Sequence, residues 1–242
     1  MVILSKPVEW TWNNVLTRPF NRWKAAVVIR LPFTRFYFRP LFFNEWYYVF
    51  KVGEPYLRRE LKNLLGPLCI FVDIGAHIGY HTVYARELVG ESGMVVAVEP
   101  DERNSRILER NCARFGDVVI IKAAAGDVDS PIHMSFQFNP LFNTVEANDG
   151  RGPGNLASVV SIKLDDIAER FEGRKYKNIV IKIDVEGSEN KVLLGSLEML
   201  KRYRPFFIIE VANVKQIEAL LRSYNYNSRQ LMDSYWIFEP AA

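Results

Sequence analysis

Residues 69 to 79, Cys-Ile-Phe-Val-Asp-Ile-Gly-Ala-His-Ile-Gly, restrict the fold more than any other part of the 242-residue chain. An apolar run ends in Asp73-x-Gly75-x-x-x-Gly79 and continues into a helix-like stretch, and a second apolar run, Met94 to Val98, stops at Glu99-Pro100. This order predicts a buried strand, a tight turn, a crossover helix and a second parallel strand. Glycines at 75 and 79 lack the Cβ that would keep a ligand from the backbone. Glu99 follows Gly79 by roughly 20 residues, the interval at which an acid at the end of the next strand meets a ribose diol.

Two ligands suit such a frame. A dinucleotide turn reads Gly-x-Gly-x-x-Gly, and its middle glycine admits a pyrophosphate to a helix N-terminus. Here the stretch is Gly75-Ala76-His77-Ile78-Gly79, without that glycine. A carboxylate at Asp73 suits the ammonium of a methionine moiety better than a diphosphate, which favours S-adenosylmethionine.

The alternation continues along the chain. Helices are expected over 56–65, 79–89, 102–115, 189–203 and 214–224, and strands over 70–74, 95–99, 118–123, 178–184 and 206–211. Between the third and fourth strands, Ile132 to Phe138 and Ser158 to Lys163 predict an inserted antiparallel pair. They flank an Asn- and Gly-rich loop, 139–155, that reads as a lid. Gln230 and Tyr235 to Glu239 predict a closing hairpin, so the mostly parallel sheet ends in an antiparallel strand.

A second constellation is Ile179 to Glu189, a hydrophobic strand ending in acids at 184, 186 and 189 around Gly187. Ligands of open α/β sheets lie at the carboxyl ends of strands, so Asp184 is expected to share a crevice with Asp73 and Glu99. Three neighbouring anions are costly without an offsetting cation, proton or donor. Glu189 also suits a plain helix start. Lys182 is a candidate partner for these acids, and Glu210, at the end of the next strand, is a further crevice candidate.

With 49% hydrophobic and 24% charged residues, the chain easily supplies a large core, and global disorder is excluded. Cys69 and Cys112 read as reduced core residues, and the three histidines, His77, His81 and His133, are too few for a zinc cluster. A metal would need oxygen ligands. The N-terminus shows no signal-peptide pattern and the chain no run of about 18 apolar residues, so a cytoplasmic protein is expected.

The first 50 residues carry seven basic and two acidic side chains and many aromatics, whereas the remainder is slightly acidic. Prolines at 7, 19, 32 and 40 break this leader into short pieces. It is read as an extension, 1–52, before a catalytic domain, 53–242. Three roles stay open for it: a layer shaping the substrate entrance, a self-association contact, or a peripheral foot on a membrane surface.

Taken in order, "FVDIGAHIGYHTVYA", "VVAVEP", "AAAGD", "SIKLDDI" and "IKIDVEGSE" resemble the FkbM family of S-adenosylmethionine-dependent methyltransferases. The resemblance implies a class I, Rossmann-like methyltransferase fold and methyl transfer to a hydroxyl of a sugar, glycolipid or secondary metabolite. It implies cofactor contacts at Asp73, Gly75, Ala76, His77, Gly79, Glu99 and Pro100, with Ala125, Gly126 and Asp127 beside the adenine. Asp184 and Glu186 fall in the reaction crevice. Where this chain has His77 the family commonly carries asparagine.

Asp184 or Glu186 is the expected base, with His133 and His81 as weaker candidates. A divalent ion on Asp184, Glu186 and Glu210 is a disfavoured alternative. The rival functions are an RNA methyltransferase using the basic leader, a dinucleotide oxidoreductase, and a non-catalytic nucleoside-binding protein.

Overall fold

The structure, a computed structural model, describes residues 28–30, 36–40, 42, 45–46, 54–136, 144–145, 155–211, 213–232 and 234–241. Most of the aromatic leader and most of the expected lid at 139–155 lie outside these residues. The chain divides into two units, Met1–Gly53 and Glu54–Ala242. In the first, strands β1 (Ile29–Arg30) and β2 (Tyr37–Phe38) pair antiparallel. Just beyond β2, Glu45 accepts hydrogen bonds from Arg39 N at 2.5 Å and Arg39 Nε at 2.7 Å, which sets a buried carboxylate against a buried guanidinium.

The second unit is built on a seven-stranded sheet. Its strands are β3 (Ile70–Ile74), β4 (Met94–Val98), β5 (Val119–Ile121), β10 (Ile179–Ile183), β11 (Phe206–Glu210), β12 (Tyr226–Met232) and β13 (Tyr235–Pro240). Their spatial order is β12, β13, β11, β10, β3, β4, β5. The five from β5 to β11 are parallel, and β13 enters antiparallel between β11 and β12. This is the mostly parallel sheet with a terminal antiparallel hairpin that the alternation predicted.

Every residue of β3, β4 and β10 is buried, because helices cover both faces of the sheet. Alternate residues Val72, Val96, Ile181 and Phe207 pack with Val192, Leu193 and Leu200 on one face. Phe71, Val95, Val180 and Ile208 pack with Leu57, Leu61, Ala85 and Val89 on the other. The helices covering that second face are α1 (Pro55–Leu64) and α2 (Tyr80–Val89); α3 (Glu102–Cys112) follows β4.

A second, four-stranded sheet contains β6 (Ala124–Ala125), β7 (Pro131–Phe136), β8 (Thr144–Val145) and β9 (Asn155–Ile162). Its order is β6, β9, β7, β8. The expected antiparallel pair is β7 with β9, enlarged by β8 and by the parallel strand β6. Helix α4 (Leu164–Ala168) leads back towards β10.

The single helix expected over 189–203 is two, α5 (Glu189–Leu194) and α6 (Leu197–Tyr203). The break falls at Gly195, where a Cβ would lie 2.0 Å from the Gly126 carbonyl oxygen. Ser196 then donates to Leu193 O at 2.7 Å, and the Asp165 carboxylate accepts from Met199 N at 2.7 Å, satisfying free ends of both helices. Helix α7 (Lys215–Ser223) precedes the hairpin. Among the described residues no helix is long and apolar enough to cross a membrane.

Candidate active site

The strand order turns back on either side of β3, between β10 on one side and β4 on the other, which is where an open sheet leaves a crevice at its carboxyl edge. Side-chain alternation determines what faces it. Phe71, Val180 and Ile208 belong to the face under α1 and α2. Two residues further along the same face come Asp73, Lys182 and Glu210, and after β10 Asp184. At its carboxyl end an apolar surface therefore becomes charged.

Lys182 stands between two acids. Its Nζ donates to Asp184 Oδ2 at 2.8 Å and lies 3.7 Å from Asp73 Oδ1. Lys182 is 2% exposed and Asp73 1%. Burial alone would make the lysine shed its proton, but the charges of Asp184, Asp73 and Glu54 outweigh it and hold the ammonium above its ordinary pKa. Burial likewise opposes the Asp184 charge, and Lys182 overcomes that by charge and hydrogen bond, keeping the carboxyl below its usual value. Thr82 donates to Asp73 Oδ2 at 2.6 Å, whereas Asp73 Oδ1 is buried without a hydrogen bond.

The network continues through residues far away in sequence. The Tyr235 hydroxyl donates to Glu54 Oε1 at 2.8 Å and to Asp184 Oδ2 at 3.2 Å, its one proton shared between them. His81 Nε2 lies 2.5 Å from Glu54 Oε2. The histidine is thus attached to the acid cluster through Glu54, just before α1, a link that no local pattern announced.

Beyond Asp184 lies a cavity of about 390 Å³ lined by Asp184, Glu186, Glu189, Glu210, Gln216 and Ser234, among others. Glu186 has φ 38°; partial burial of its carboxyl first, then the charges of Asp184 and Glu189, raise its pKa. Glu189 Oε1 accepts from Gly187 N at 2.7 Å, closing the turn before α5. Glu210 accepts from the Ser234 hydroxyl at 2.8 Å. Among the described residues no group of three or more His, Cys, Asp or Glu is arranged to hold a metal ion.

The turn after β3 shows why its glycines are needed. Gly75 has φ 78°, and a Cβ there would lie 1.9 Å from the Asp184 carbonyl oxygen. The missing side chain lets the ends of β3 and β10 meet, rather than leaving open space for a ligand as the sequence suggested. At Gly79, φ 88°, a Cβ would strike Leu108 of α3 at 2.5 Å. Ala76 is buried, and its N–H, like that of Gly75, donates to Val98 O at 3.0 Å.

His77 has φ 51°, in the left-handed region where Asn, Asp and His are several-fold enriched. This backbone requirement accounts for a residue of that group at position 77. His77→Asn is expected to leave stability unchanged. His77→Val, β-branched at the same φ, should lower the unfolding free energy by about 1–2 kcal/mol in urea titration, and equal stability of the two variants would refute the backbone explanation.

Glu99 is 5% exposed and well supplied with donors. Its Oε2 accepts from His77 N at 2.8 Å, and its Oε1 from Asp101 N at 2.9 Å and Asn104 Nδ2 at 3.1 Å. The acid therefore ties the turn after β3 to the start of α3. Burial still pushes its carboxyl up to about 7 against those donors. Pro100 follows it, partly exposed.

The expected site residues thus fall into separate groups. Asp184 and Glu186 line the cavity, and Asp73 is joined to Asp184 through Lys182. Glu99 and the 75–79 turn form a neighbouring unit outside the cavity lining. Ala125 and Gly126 lie at β6, where Gly126 N donates to Ile162 O at 3.0 Å, and Asp127 is exposed beyond it. His133 is exposed on β7, paired with Ser158 in the second sheet, and is not among the residues lining the cavity.

No curated protein matches the chain. A methyltransferase FkbM from Methylobacillus flagellatus has 17% identity and a TM-score of 0.48 over 95% of this chain and 60% of its own. The present chain therefore spans about 60% of that protein's length. An O-methyltransferase from Bacillus cereus, in complex with SAH, has 14% identity and a TM-score of 0.47, covering 78% of this chain and 82% of its own. An SAM-dependent methyltransferase from Aquifex aeolicus has 16% identity and a TM-score of 0.44, over 79% of this chain and 95% of its own.

The sheet order, with β13 antiparallel between β11 and β12, is that of the class I methyltransferase fold. The family described as the methyltransferase FkbM domain matches residues 73–228. That match takes in well over half of the chain and runs from Asp73 through Glu99, Asp184 and Glu210, so the chain belongs to the FkbM methyltransferase domain family.

Proposed function

We propose that the protein is an S-adenosylmethionine-dependent methyltransferase acting on a hydroxyl oxygen of a sugar, glycolipid or secondary-metabolite acceptor. The observation that carries this reading is the acid-lined cavity at Asp184, Glu186 and Glu210, next to the buried Asp73 and within the family-matched span. The residues fit the methyl donor on one direct point: Asp73 Oδ1 is a buried acceptor without a hydrogen bond, which a ligand ammonium would satisfy. Glu99 would receive the ribose hydroxyls through its remaining lone pairs. The backbone of Gly75, Ala76, His77 and Gly79, with Pro100, would border the donor, and Ala125, Gly126 and Asp127 its adenine.

Bound there, the donor supplies a methyl group on a sulfonium leaving group. The protein's own task is to hold an acceptor oxygen in line and take up its proton. The cavity carboxylates suit that task, and their acidity suits a neutral, polyhydroxylated acceptor better than a phosphate backbone, which they would repel.

Calorimetry with S-adenosylhomocysteine and NAD, together with a labelled-donor screen of glycan, lipid and RNA extracts, tests this reading. Binding of the first ligand and labelling of the glycan or lipid fraction are expected. Binding of NAD alone, or labelling of RNA alone, would replace it with a rival. Asp184→Asn should depress turnover far more than affinity for S-adenosylhomocysteine; equal losses would move Asp184 to the donor side.

A further inference from the structure

Glu210 ends β11 and is paired in register with Tyr235 of β13, on the sheet face that also carries Asp184. The two acids line one cavity but are held differently. Asp184 Oδ2 receives the Lys182 ammonium at 2.8 Å and the Tyr235 hydroxyl at 3.2 Å. Glu210 receives a neutral hydroxyl, that of Ser234, at 2.8 Å. A carboxylate tied to a buried cation is a poor proton acceptor, because protonation would strand the cation. A carboxylate facing a fixed anion is a good one, because protonation relieves the repulsion.

We infer that Glu210 takes the hydroxyl proton of the acceptor, while Asp184, held by Lys182, is the fixed anion that makes Glu210 basic. This rests on the methyltransferase reading above. In the step, the acceptor's O–H proton passes to the Glu210 carboxylate and an oxygen electron pair forms the new O–C bond. The electrons of the broken S–C bond stay on sulfur, which leaves as a neutral thioether. Charge balances: a sulfonium and a carboxylate become a thioether and a carboxylic acid.

The electrostatics of the cavity agree with this geometry. Burial first, and then the Asp184 charge, push the Glu210 carboxyl up to about 7, against the Ser234 hydrogen bond that lowers it. Among the described residues, the other charged groups around the cavity are Glu186 and Glu189, after β10, and Lys182 behind Asp184. A base poised near neutrality is matched to its task, whereas Asp184, below its usual range, is a weak one.

The test is a side-chain carboxyl titration by carbon NMR on the full chain, from about pH 4 to about pH 9. It is combined with methyl transfer from labelled S-adenosylmethionine to a glycan extract. The carboxyls of Glu99 and Glu210 are expected to titrate near neutrality. Glu210→Gln should remove one of them, and Asp184→Asn should shift that same one downward.

Glu210→Gln keeps an acceptor oxygen for Ser234. It should cut transfer by about 10²–10⁴-fold and abolish its rise through neutral pH, with affinity for S-adenosylhomocysteine unchanged. Transfer by Glu210→Gln with the wild-type pH profile, or no neutral titration lost with Glu210, overturns the inference alone. A wild-type chain that neither binds S-adenosylhomocysteine nor transfers methyl groups overturns the methyltransferase reading and this inference with it.

Discussion

Lys182→Met is expected to lower the unfolding free energy by about 3–5 kcal/mol at neutral pH, the cost of leaving buried charges without their counter-ion. Methionine is close to lysine in length and fills irregular space, so lost volume is a minor part of the effect. What disappears is the ammonium 2.8 Å from Asp184 and 3.7 Å from Asp73. The pH dependence separates this cause from simple misfit.

In the native chain Asp184 is held below its usual pKa, so its contribution is present at neutral pH and is lost as pH falls through that lowered value. Without the lysine, burial raises the folded carboxyl above its unfolded value. The variant then gains stability as pH falls through that raised pKa, because its folded state binds more protons. The gap to wild type should therefore narrow between about pH 7 and about pH 5 in urea titrations. A deficit that stays constant or widens on acidification would mean that Lys182 matters for packing rather than for charge.

The second large effect is on ligand affinity. Glu99→Ala should weaken S-adenosylhomocysteine binding by about 1.5–3 kcal/mol, roughly ten- to hundredfold, the range for hydrogen bonds to a charged group. Two causes act together: the ribose acceptors are lost, and His77 N, Asp101 N and Asn104 Nδ2 lose the carboxylate that aligns them. Diol donors favour the ionised carboxyl, and Glu99 is pushed up to about 7. Wild-type affinity should accordingly rise as pH passes upward through neutrality, and the variant should lose that rise. Calorimetry across that range checks both points; unchanged affinity with reduced stability would leave Glu99 a brace between two loops and nothing more.

Much of this arrangement could be read along the chain. Apolar runs such as Ile70 to Val72 and Ile179 to Ile181 indicate strands buried on both faces, and the charged residues that close them, Asp73, Lys182 and Asp184, indicate a charged carboxyl edge. The inserted strands were legible as well, although the short β6 and β8 were not. The break at Gly195 was not legible either, because its cause is the carbonyl of Gly126, 69 residues earlier, pressed against a position with no Cβ. His133 is a candidate base by residue type alone, and its pairing with Ser158 in a second sheet, outside the cavity lining, carries no local signal.

The sequence by itself determined the order of elements and which acid ends which strand, since two-residue alternation, glycine turns and helix periodicity are local properties of neighbouring residues. Only the tertiary structure decided what each acid is worth chemically. Proton affinity depends on burial and on charges brought in from afar: Lys182 set against Asp73, Ser234 against Glu210, and Tyr235 against Glu54, 181 residues away. Those distances exist only once the sheet has assembled.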